Sequence, residues 1–187
     1  MEIYLIRHTK PNIPEGVCYG STDMELIENS NSQFEKIKTS LNIDESFVFY
    51  SSPLKRCSLM AKYLSNDNFI IDNRLKEISF GKWEETPWVE LPLDEFEKWS
   101  SDFVNNPTPG NESFIELQNR VVEFYNEVLK LKHDKIVIVS HAGNIRALIS
   151  YILAMPLTHA FRLEISLGGV TKINANEIVA TVEYINN

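Results

Sequence analysis

Cysteine is scarce in this sequence, and neither cysteine lies where a thiolate nucleophile would need it. Only 2 of the 187 residues are cysteine, Cys18 and Cys57. A cysteine-dependent phosphatase loop carries an arginine six residues after its nucleophile, but Met24 and Tyr63 occupy those positions. We therefore interpret both residues as reduced thiols of a cytosolic protein, and the sequence disfavours a cysteine nucleophile.

Several other motifs that carry chemistry are also missing. The sequence has no G-x-x-x-x-G-K-[ST] and no G-x-G, so a P-loop and a dinucleotide fingerprint are excluded. It has no H-E-x-x-H, no Cys/His set at zinc spacing and no G-x-S-x-G elbow. We expect neither a metal nor a cofactor.

Long apolar runs and excess positive charge are lacking as well. No apolar run approaches the roughly 18 residues that a membrane span needs, and the start lacks the basic region of a signal peptide. The formal net charge is −8, from 18 basic and 26 acidic residues. Such a charge repels nucleic acid and acidic membranes. We expect a cytoplasmic protein that binds neither, and an anionic ligand would need a local basic pocket.

What the sequence does contain is a set of short apolar runs that end in polar residues. Residues 3–6, 47–50 and 136–139 are such runs, and they suit strands buried on both faces of a mainly parallel sheet. Ligands of such α/β sheets bind beyond the carboxyl ends of the strands. Arg7-His8 follow the first run, Arg56 comes after the second, and Ser140-His141 follow the third. We therefore expect two histidines and two arginines at one edge of the sheet.

The remaining pattern predicts helices and further strands within one domain, residues 1–187. Helices are predicted near 31–41, 94–104 and 144–154. Another helix is predicted to begin at a Ser52 N-cap, with Pro53 at the first helical position. A further helix begins at the capping box Ser113-x-x-Glu116, and its apolar face includes Leu131. Further strands are predicted at 69–71, 161–167, 170–174 and 178–185, with a hairpin turn at Gly168-Gly169. Residues 86–110 hold four of the eight prolines and two of the three tryptophans, and we interpret them as a lid-like excursion over the sheet.

The histidines differ in context. His133 and His159 read as ordinary surface or core residues, whereas His8 and His141 each end an apolar run. Arg56 lies in the first turn of the predicted helix after Ser52, where an anion would meet its guanidinium and the free N–H groups of the helix start. The candidates that remain form a metal-free set of two histidines, two arginines and a carboxylate.

Five motifs in order resemble those of the histidine phosphatase (phosphoglycerate mutase-like) superfamily. They are LIRHTKP, SSPLKRC, RLKEISFGKWEE, GNES and SHAGNIRAL, and the resemblance runs from residue 3 to about residue 170. The segment RHTKP followed by GVCYGSTD is most similar to the alpha-ribazole phosphatase branch, which acts in assembling the cobalamin nucleotide loop. The resemblance implies a three-layer α/β/α sandwich with a mixed, mainly parallel central sheet.

The resemblance also implies roles for five residues. His8 would be the nucleophile that accepts the phosphoryl group, Arg7 and Arg56 would bind its oxygens, and a protonated His141 would hydrogen-bond the same group. Glu77 would protonate the leaving alcohol. Arginine suits phosphate oxygens because its contacts are charge-assisted and often bidentate, and a positioned acid contributes about 10²–10⁴ in rate. We interpret the neighbouring Glu84 and Glu85 as surface charge.

The loop after His8 departs from the superfamily pattern. Most members carry glycine after the histidine, then Glu-Thr and an asparagine, where this chain has Thr9, Lys10, Pro11 and Pro14. The asparagine's contact with phosphate would be lost or supplied by another side chain of the loop. The substrate-binding candidates are Asn12, Ser21 and Thr22 for that contact, Tyr19 and Trp83 as walls for the leaving group, and Ala142 where a second glycine is common.

The implied function is metal-independent hydrolysis of a phosphomonoester through phosphohistidine, with alpha-ribazole 5′-phosphate as the named substrate. Phosphatases of a sugar phosphate, nucleotide or phosphoprotein stay open as alternatives, as does a regulator that binds phospholigands without catalysis. Mutase activity is disfavoured because family mutases are longer. The expected partner is a small phosphorylated metabolite, and a homodimer stays open.

Overall fold

A six-stranded mixed sheet forms the centre of the computed structural model, which describes residues 1–131 and 133–187. Its strands are β1 (Glu2–Arg7), β2 (Phe47–Ser51), β3 (Ile70–Ile71), β4 (Lys135–Ser140), β5 (Val170–Ala175) and β6 (Ala180–Tyr184). They lie in the order β3-β2-β4-β1-β5-β6. Strands β1 to β4 are parallel, whereas β5 runs antiparallel to β1 and β6 antiparallel to β5. The predicted mixed, mainly parallel sheet is confirmed.

Helices cover both faces of this sheet. They are α1 (Ser30–Ser40), α2 (Lys55–Leu64), α3 (Leu93–Ser101), α4 (Phe114–Leu129) and α5 (Ala142–Ile152). Side chains alternate along β1, so that Ile3 and Leu5 pack with α4 and α5, while Tyr4 and Ile6 pack with α1 and α2. The three-layer α/β/α architecture follows from this alternation and agrees with the prediction.

The register of the central strands brings the predicted functional positions together. Arg7 at the end of β1 pairs with Ser140 of β4, and Ser51 at the end of β2 pairs with Val139 of β4. The carboxyl ends of these three neighbouring strands are therefore level at one edge of the sheet. His8 is the next residue after β1, and His141 is the next after β4.

The excursion of residues 86–110 contains a 3₁₀ turn (Trp88–Glu90) and α3. Backbone hydrogen bonds join it to the loop after β1: Trp88 N–H donates to the Gly16 carbonyl at 2.9 Å, and Cys18 N–H donates to the Thr86 carbonyl at 2.8 Å. The excursion therefore borders the edge of the sheet where His8 lies. Its movement as a lid stays a prediction.

The start of α2 differs from the prediction. Leu54, not Ser52, occupies the N-cap position, because its carbonyl accepts the first N–H groups of the helix, those of Cys57 at 2.8 Å and Ser58 at 3.0 Å. The Ser52 N–H still donates to the Val139 carbonyl at 3.0 Å and so continues the sheet. The Lys55 N–H donates to Asp23 Oδ1 at 2.7 Å. The helix start where we expected an anion is thus occupied by a carboxylate of the protein itself.

The C-terminal part also differs. Residues 161–167 do not form a strand; Leu157–Arg162 is a 3₁₀ helix, and the hairpin joins β5 to β6. The predicted hairpin at Gly168-Gly169 is wrong because Gly168, at φ 72°, donates its N–H to the carbonyls of Arg7 and His8. The capping box at Ser113 is confirmed, but Leu131 lies beyond α4 and is exposed.

The helices of residues 1–131 and 133–187 are all too short or too polar to cross a bilayer.

Candidate active site

His8 is a buried residue whose environment selects one tautomer. Its side chain is 2% exposed, and its backbone N–H donates to the Ser140 carbonyl at 3.1 Å. Its Nδ1 lies 2.7 Å from the Thr9 carbonyl oxygen. A carbonyl oxygen only accepts, so Nδ1 carries the proton and Nε2 keeps its lone pair. Among the residues that the structure describes, Nε2 has no hydrogen-bond partner and is free to act as a nucleophile.

The charge state of His8 also suits a nucleophile. Burial, followed by the nearby Arg56 and Arg7 guanidinium groups, lowers the pKa of His8 to about 3, although the hydrogen bond to Thr9 opposes this shift. The ring is therefore neutral at physiological pH, and a neutral imidazole can attack phosphorus.

His141 lies beside His8, with 5.2 Å between the ring centroids. Its Nδ1 is 3.3 Å from Arg56 Nε, and its Nε2 is 2.8 Å from Ser52 Oγ. Burial first, and then Arg56 and His8, hold the pKa of His141 well below its ordinary value. The ring is therefore neutral in this arrangement, and its protonation beside a bound phosphoryl group stays a prediction.

The two predicted phosphate-binding arginines differ in their environments. Arg7 lines the cavity in front of His8; its NH1 donates to the Ile165 carbonyl at 2.5 Å, and its Nε is buried with no partner among the described residues. Arg56 is wholly buried and does not line the cavity. Its NH1 and NH2 donate to the Thr22 and Gly20 carbonyls at 2.7 and 2.5 Å. Of these two arginines, Arg7 is thus the one directly open to a ligand.

The carboxylate of Glu77 is held at the start of α5. Its Oε2 accepts the Gly143 N–H at 3.0 Å, and its Oε1 accepts the Ile78 N–H at 3.1 Å. A Cβ at residue 143 would come within 2.2 Å of Glu77 Oε1, so the absence of a side chain at Gly143 lets the carboxylate take this position. Glu77 lines the same cavity as His8, where an acid could reach a leaving group.

A cavity of about 300 Å³ opens in front of His8. One side is polar, with Arg7, His8, Glu77 and Arg146. The other walls are apolar or aromatic: Val17, Tyr19, Ile78, Phe80, Trp88, Trp99, Phe103, Phe114 and Phe161, with Ala142 and Gly143 at the helix start. The cavity therefore combines a corner suited to a phosphoryl group with walls suited to a flat apolar group.

The structure brings two of the substrate-binding candidates to this cavity, Tyr19 and Ala142. Asn12 is exposed on the loop after β1 and does not line it. Trp83 is buried outside the cavity and donates from Nε1 to Glu95 Oε2 at 3.0 Å. A direct contact of Asn12 or Trp83 with substrate is not supported by these positions.

The hydroxyl groups of Ser21 and Thr22 both donate to the carboxylate of Glu84. Glu84 also accepts the backbone N–H groups of Ser21 at 3.0 Å, Thr22 at 2.6 Å and Phe80 at 2.8 Å. Burial raises the pKa of Glu84, but these bonds, led by that of Thr22, outweigh it and leave the pKa below its ordinary value. Our interpretation of Glu84 as surface charge is wrong, because its carboxylate anchors the loop whose Gly20 and Thr22 carbonyls accept hydrogen bonds from Arg56.

Sequence reasoning missed Arg146 and most of the aromatic walls. Arg146 donates from Nε to the Leu163 carbonyl at 2.9 Å, and its guanidinium lies 5.2 Å from the centroid of the Phe161 ring. One signal was available, because Ala142 and Arg146 are four residues apart on α5 and so share a face.

Within residues 1–131 and 133–187, no cluster of three or more histidine, cysteine, aspartate or glutamate side chains has the arrangement of a metal site. Metal independence stays a prediction.

Comparisons with known proteins agree with this geometry. The profile of the histidine phosphatase superfamily (branch 1) matches residues 3–187. Phosphoserine phosphatase 1 of Hydrogenobacter thermophilus is 30% identical over 84% of this chain and 79% of its own length. The adenosylcobalamin/alpha-ribazole phosphatase of Escherichia coli is 26% identical over 100% of this chain and 96% of its own.

Solved structures of both kinds of phosphatase have the same fold. The alpha-ribazole phosphatase of Shigella flexneri superposes with a TM-score of 0.89 at 26% identity, over 100% of this chain and 96% of that one. A mutant phosphoserine phosphatase of Entamoeba histolytica, in complex with phosphoserine, superposes with a TM-score of 0.84 at 25% identity and the same coverage. Both activities thus occur among relatives that are similar to this chain to a comparable degree.

Proposed function

The chain belongs to the histidine phosphatase superfamily (branch 1), and we propose that it hydrolyses phosphomonoesters through a phosphohistidine formed on His8. The observation that carries the proposal is the state of His8: a neutral ring with its Nδ1 bonded to the Thr9 carbonyl. Its Nε2, which has no hydrogen-bond partner in the part of the chain that the structure describes, shares the cavity with Arg7 and Glu77.

In the first step, His8 Nε2 attacks phosphorus and the bond from phosphorus to the alcohol oxygen breaks. Glu77, in its protonated form, gives its proton to that oxygen, so the alcohol leaves neutral. In the second step, a water molecule attacks the phosphohistidine while the Glu77 carboxylate takes a proton from it. Inorganic phosphate leaves and His8 regains its lone pair, so that one difficult displacement becomes two easier ones.

Arg7 and Arg56 would stabilise the phosphoryl oxygens during both steps. Arg7 faces the cavity already, and its buried Nε has no partner among the described residues. Arg56 donates to two neutral carbonyls, those of Gly20 and Thr22. A phosphoryl dianion is a stronger acceptor than a carbonyl, so we expect it to compete for the Arg56 donors. His141, next to both His8 and Arg56, would contact the same group.

At the level of the substrate, we propose alpha-ribazole 5′-phosphate, and hence a role in cobalamin nucleotide-loop assembly. Alpha-ribazole is a nucleoside with a flat aromatic base, and the aromatic walls of the cavity offer surfaces on which such a base can stack. The alpha-ribazole phosphatases among the relatives support the same choice.

Phosphoserine is the second candidate, and Arg146 is the observation that favours it. This arginine lines the cavity, and only its Nε is bonded to protein among the described residues. Its terminal nitrogens could therefore bind a substrate carboxylate. Phosphoserine phosphatases are also among the relatives.

The test is a panel of alpha-ribazole 5′-phosphate, phosphoserine, a sugar phosphate and 4-nitrophenyl phosphate, assayed with EDTA present. We expect the wild type to hydrolyse at least one of these esters and His8→Ala to hydrolyse none. The control His159→Ala should retain turnover, because His159 lies outside the cavity. The phosphomonoester with the highest kcat/KM identifies the class of substrate that the protein hydrolyses.

Full turnover by His8→Ala would refute the assignment of His8 as the nucleophile. Absence of turnover on every ester, combined with phosphate binding by calorimetry, would instead favour the non-catalytic regulator. Loss of turnover in EDTA that returns with a divalent cation would refute metal independence.

A further inference from the structure

Ser52 occupies a fixed position between the sheet and His141. Its backbone N–H donates to the Val139 carbonyl at 3.0 Å, which extends the pairing of β2 with β4 by one residue. The side chain is fully buried. Its Oγ accepts the Leu54 N–H at 3.3 Å and lies 2.8 Å from His141 Nε2.

The bonds around His141 determine its tautomer. A guanidinium has donors and no acceptor, so the Arg56 Nε–H at 3.3 Å requires a lone pair on His141 Nδ1. A neutral imidazole carries one proton, which must then be on Nε2. The 2.8 Å bond to Ser52 is therefore donated by His141 Nε2–H and accepted by the serine oxygen. Of the protein groups described, only Ser52 and the Cys57 sulfur, at 3.4 Å, approach that nitrogen.

We propose that Ser52 is a positioning residue that holds His141 as the Nε2–H tautomer and thereby presents Nδ1 to Arg56. The effect of Ser52 on catalysis rests on the proposed function, whereas the tautomer of His141 does not depend on that function. If the ring flipped or changed tautomer, an N–H or a C–H of the ring would face Arg56 Nε. The guanidinium would then lose the contact that directs it towards the His8–His141 pair.

Cys57 does not replace the serine in this role. Its sulfur lies within reach of both ring nitrogens, 3.4 Å from Nε2 and 3.8 Å from Nδ1, and its thiol donates to the Ser140 carbonyl at 3.4 Å. It is also a weak acceptor. Removing the serine oxygen would leave the buried Nε2–H with no strong acceptor.

The experiment compares Ser52→Ala with a matched control, Ser51→Ala. Ser51 is the preceding residue and is equally buried, but its hydroxyl donates to the Ser52 carbonyl at 2.8 Å and forms no hydrogen bond with His8 or His141. Long-range ¹H–¹⁵N correlation spectra report the tautomer, with the His141 signals assigned by their loss in His141→Gln. Steady-state kinetics on 4-nitrophenyl phosphate report kcat and KM separately.

We expect the Nε2–H tautomer in the wild type and in Ser51→Ala, and its loss or mixing with the other tautomer in Ser52→Ala. We expect kcat of Ser52→Ala to fall about 5-fold to 160-fold, the range that the loss of an acceptor for a buried donor implies, with a smaller change in KM. Ser52→Thr retains the hydroxyl and should restore the tautomer.

A wild-type Nδ1–H tautomer, or an unchanged tautomer in Ser52→Ala, would overturn the proposal. If the wild type hydrolyses no phosphomonoester, the proposed function fails, and the spectra still decide the tautomer. If Ser52→Ala lowers kcat no more than Ser51→Ala does, the positioning role is refuted.

Discussion

Glu84→Gln should loosen the loop that carries both carbonyl acceptors of Arg56. Oxygen Oε1 accepts from Ser21 and Phe80, and Oε2 accepts from Thr22. Glutamine keeps one acceptor oxygen. Its NH₂ group takes the place of the other carboxylate oxygen and so faces the backbone N–H donors that this oxygen accepted from. At least one of those N–H groups is then left without an acceptor.

The magnitude follows from these bonds. A hydrogen bond to a charged group contributes about 1.5–3 kcal/mol, and an unpaired buried donor costs about 1–3 kcal/mol. Glu84 is only half-buried, so we expect a loss of about 2–3 kcal/mol in the free energy of unfolding. For a chain of this size such a loss lowers Tm by about 4–12 °C.

Thermal unfolding followed by circular dichroism measures this loss, with Glu85→Gln as the control. Glu85 is the next residue, is exposed, and bonds to Cys18 only through its backbone N–H. Turnover should fall as well in Glu84→Gln, because Gly20 and Thr22 orient Arg56 from the same loop.

The effect should depend on pH with a definite sign. The pKa of Glu84 is lower in the folded state, so its stabilisation is present above the unfolded pKa of about 4.3 and is lost as pH falls through the folded value. The difference in Tm between wild type and Glu84→Gln should therefore be largest near neutral pH and shrink in acid. Equal Tm values for Glu84→Gln and Glu85→Gln at pH 7 would refute the reasoning.

Three further predictions concern the cavity. Glu77→Gln should slow alkyl phosphates at least 10-fold more than 4-nitrophenyl phosphate, whose leaving group needs little protonation; equal losses in kcat would contradict the role of acid. Arg146→Met should lower kcat/KM for phosphoserine about 10-fold or more and leave phenyl phosphate unchanged; a uniform loss would indicate a structural effect. The pKa of His8, near 3, predicts that its ring signals stay those of neutral imidazole from pH 8 to pH 4 in an NMR titration, and a midpoint near 6.5 would contradict this.

The meeting of Arg7, His8 and His141 was predictable because short apolar runs place their last residues at one edge of a parallel sheet. The role of Glu84 was not, since Glu84 and Glu85 are identical side chains in the same local sequence. They differ only in tertiary contacts: the Glu84 carboxylate meets Ser21 and Thr22 on a distant loop.

The error at residues 161–167 has a different cause. Phe161, Leu163, Ile165 and Leu167 alternate with polar or small neighbours, which is the period of a strand. In the structure, Phe161 instead packs its ring against Phe103 and Phe114, with centroids 5.1 and 5.6 Å away. This packing favours the 3₁₀ helix over a strand, and residue spacing carries no information about it.

The same packing explains why Arg146 was missed although it shares a helix face with Ala142. Whether that face meets solvent or a cavity depends on Phe161 and on the aromatic residues of the 86–110 excursion, which close the cavity around it.

The charges around His8 indicate what the site is built to receive. Arg7, Arg56 and Arg146 surround or border two neutral histidines, and none of the three forms an ion pair among the described residues. The nearest carboxylate on the cavity wall, Glu77, is bonded to backbone N–H groups. In a chain with net charge −8, the three arginines thus outnumber the one carboxylate that lines the cavity, which leaves a local excess of positive charge. A phosphoryl dianion would supply the missing charge, and the same excess adds to the burial that keeps His8 unprotonated.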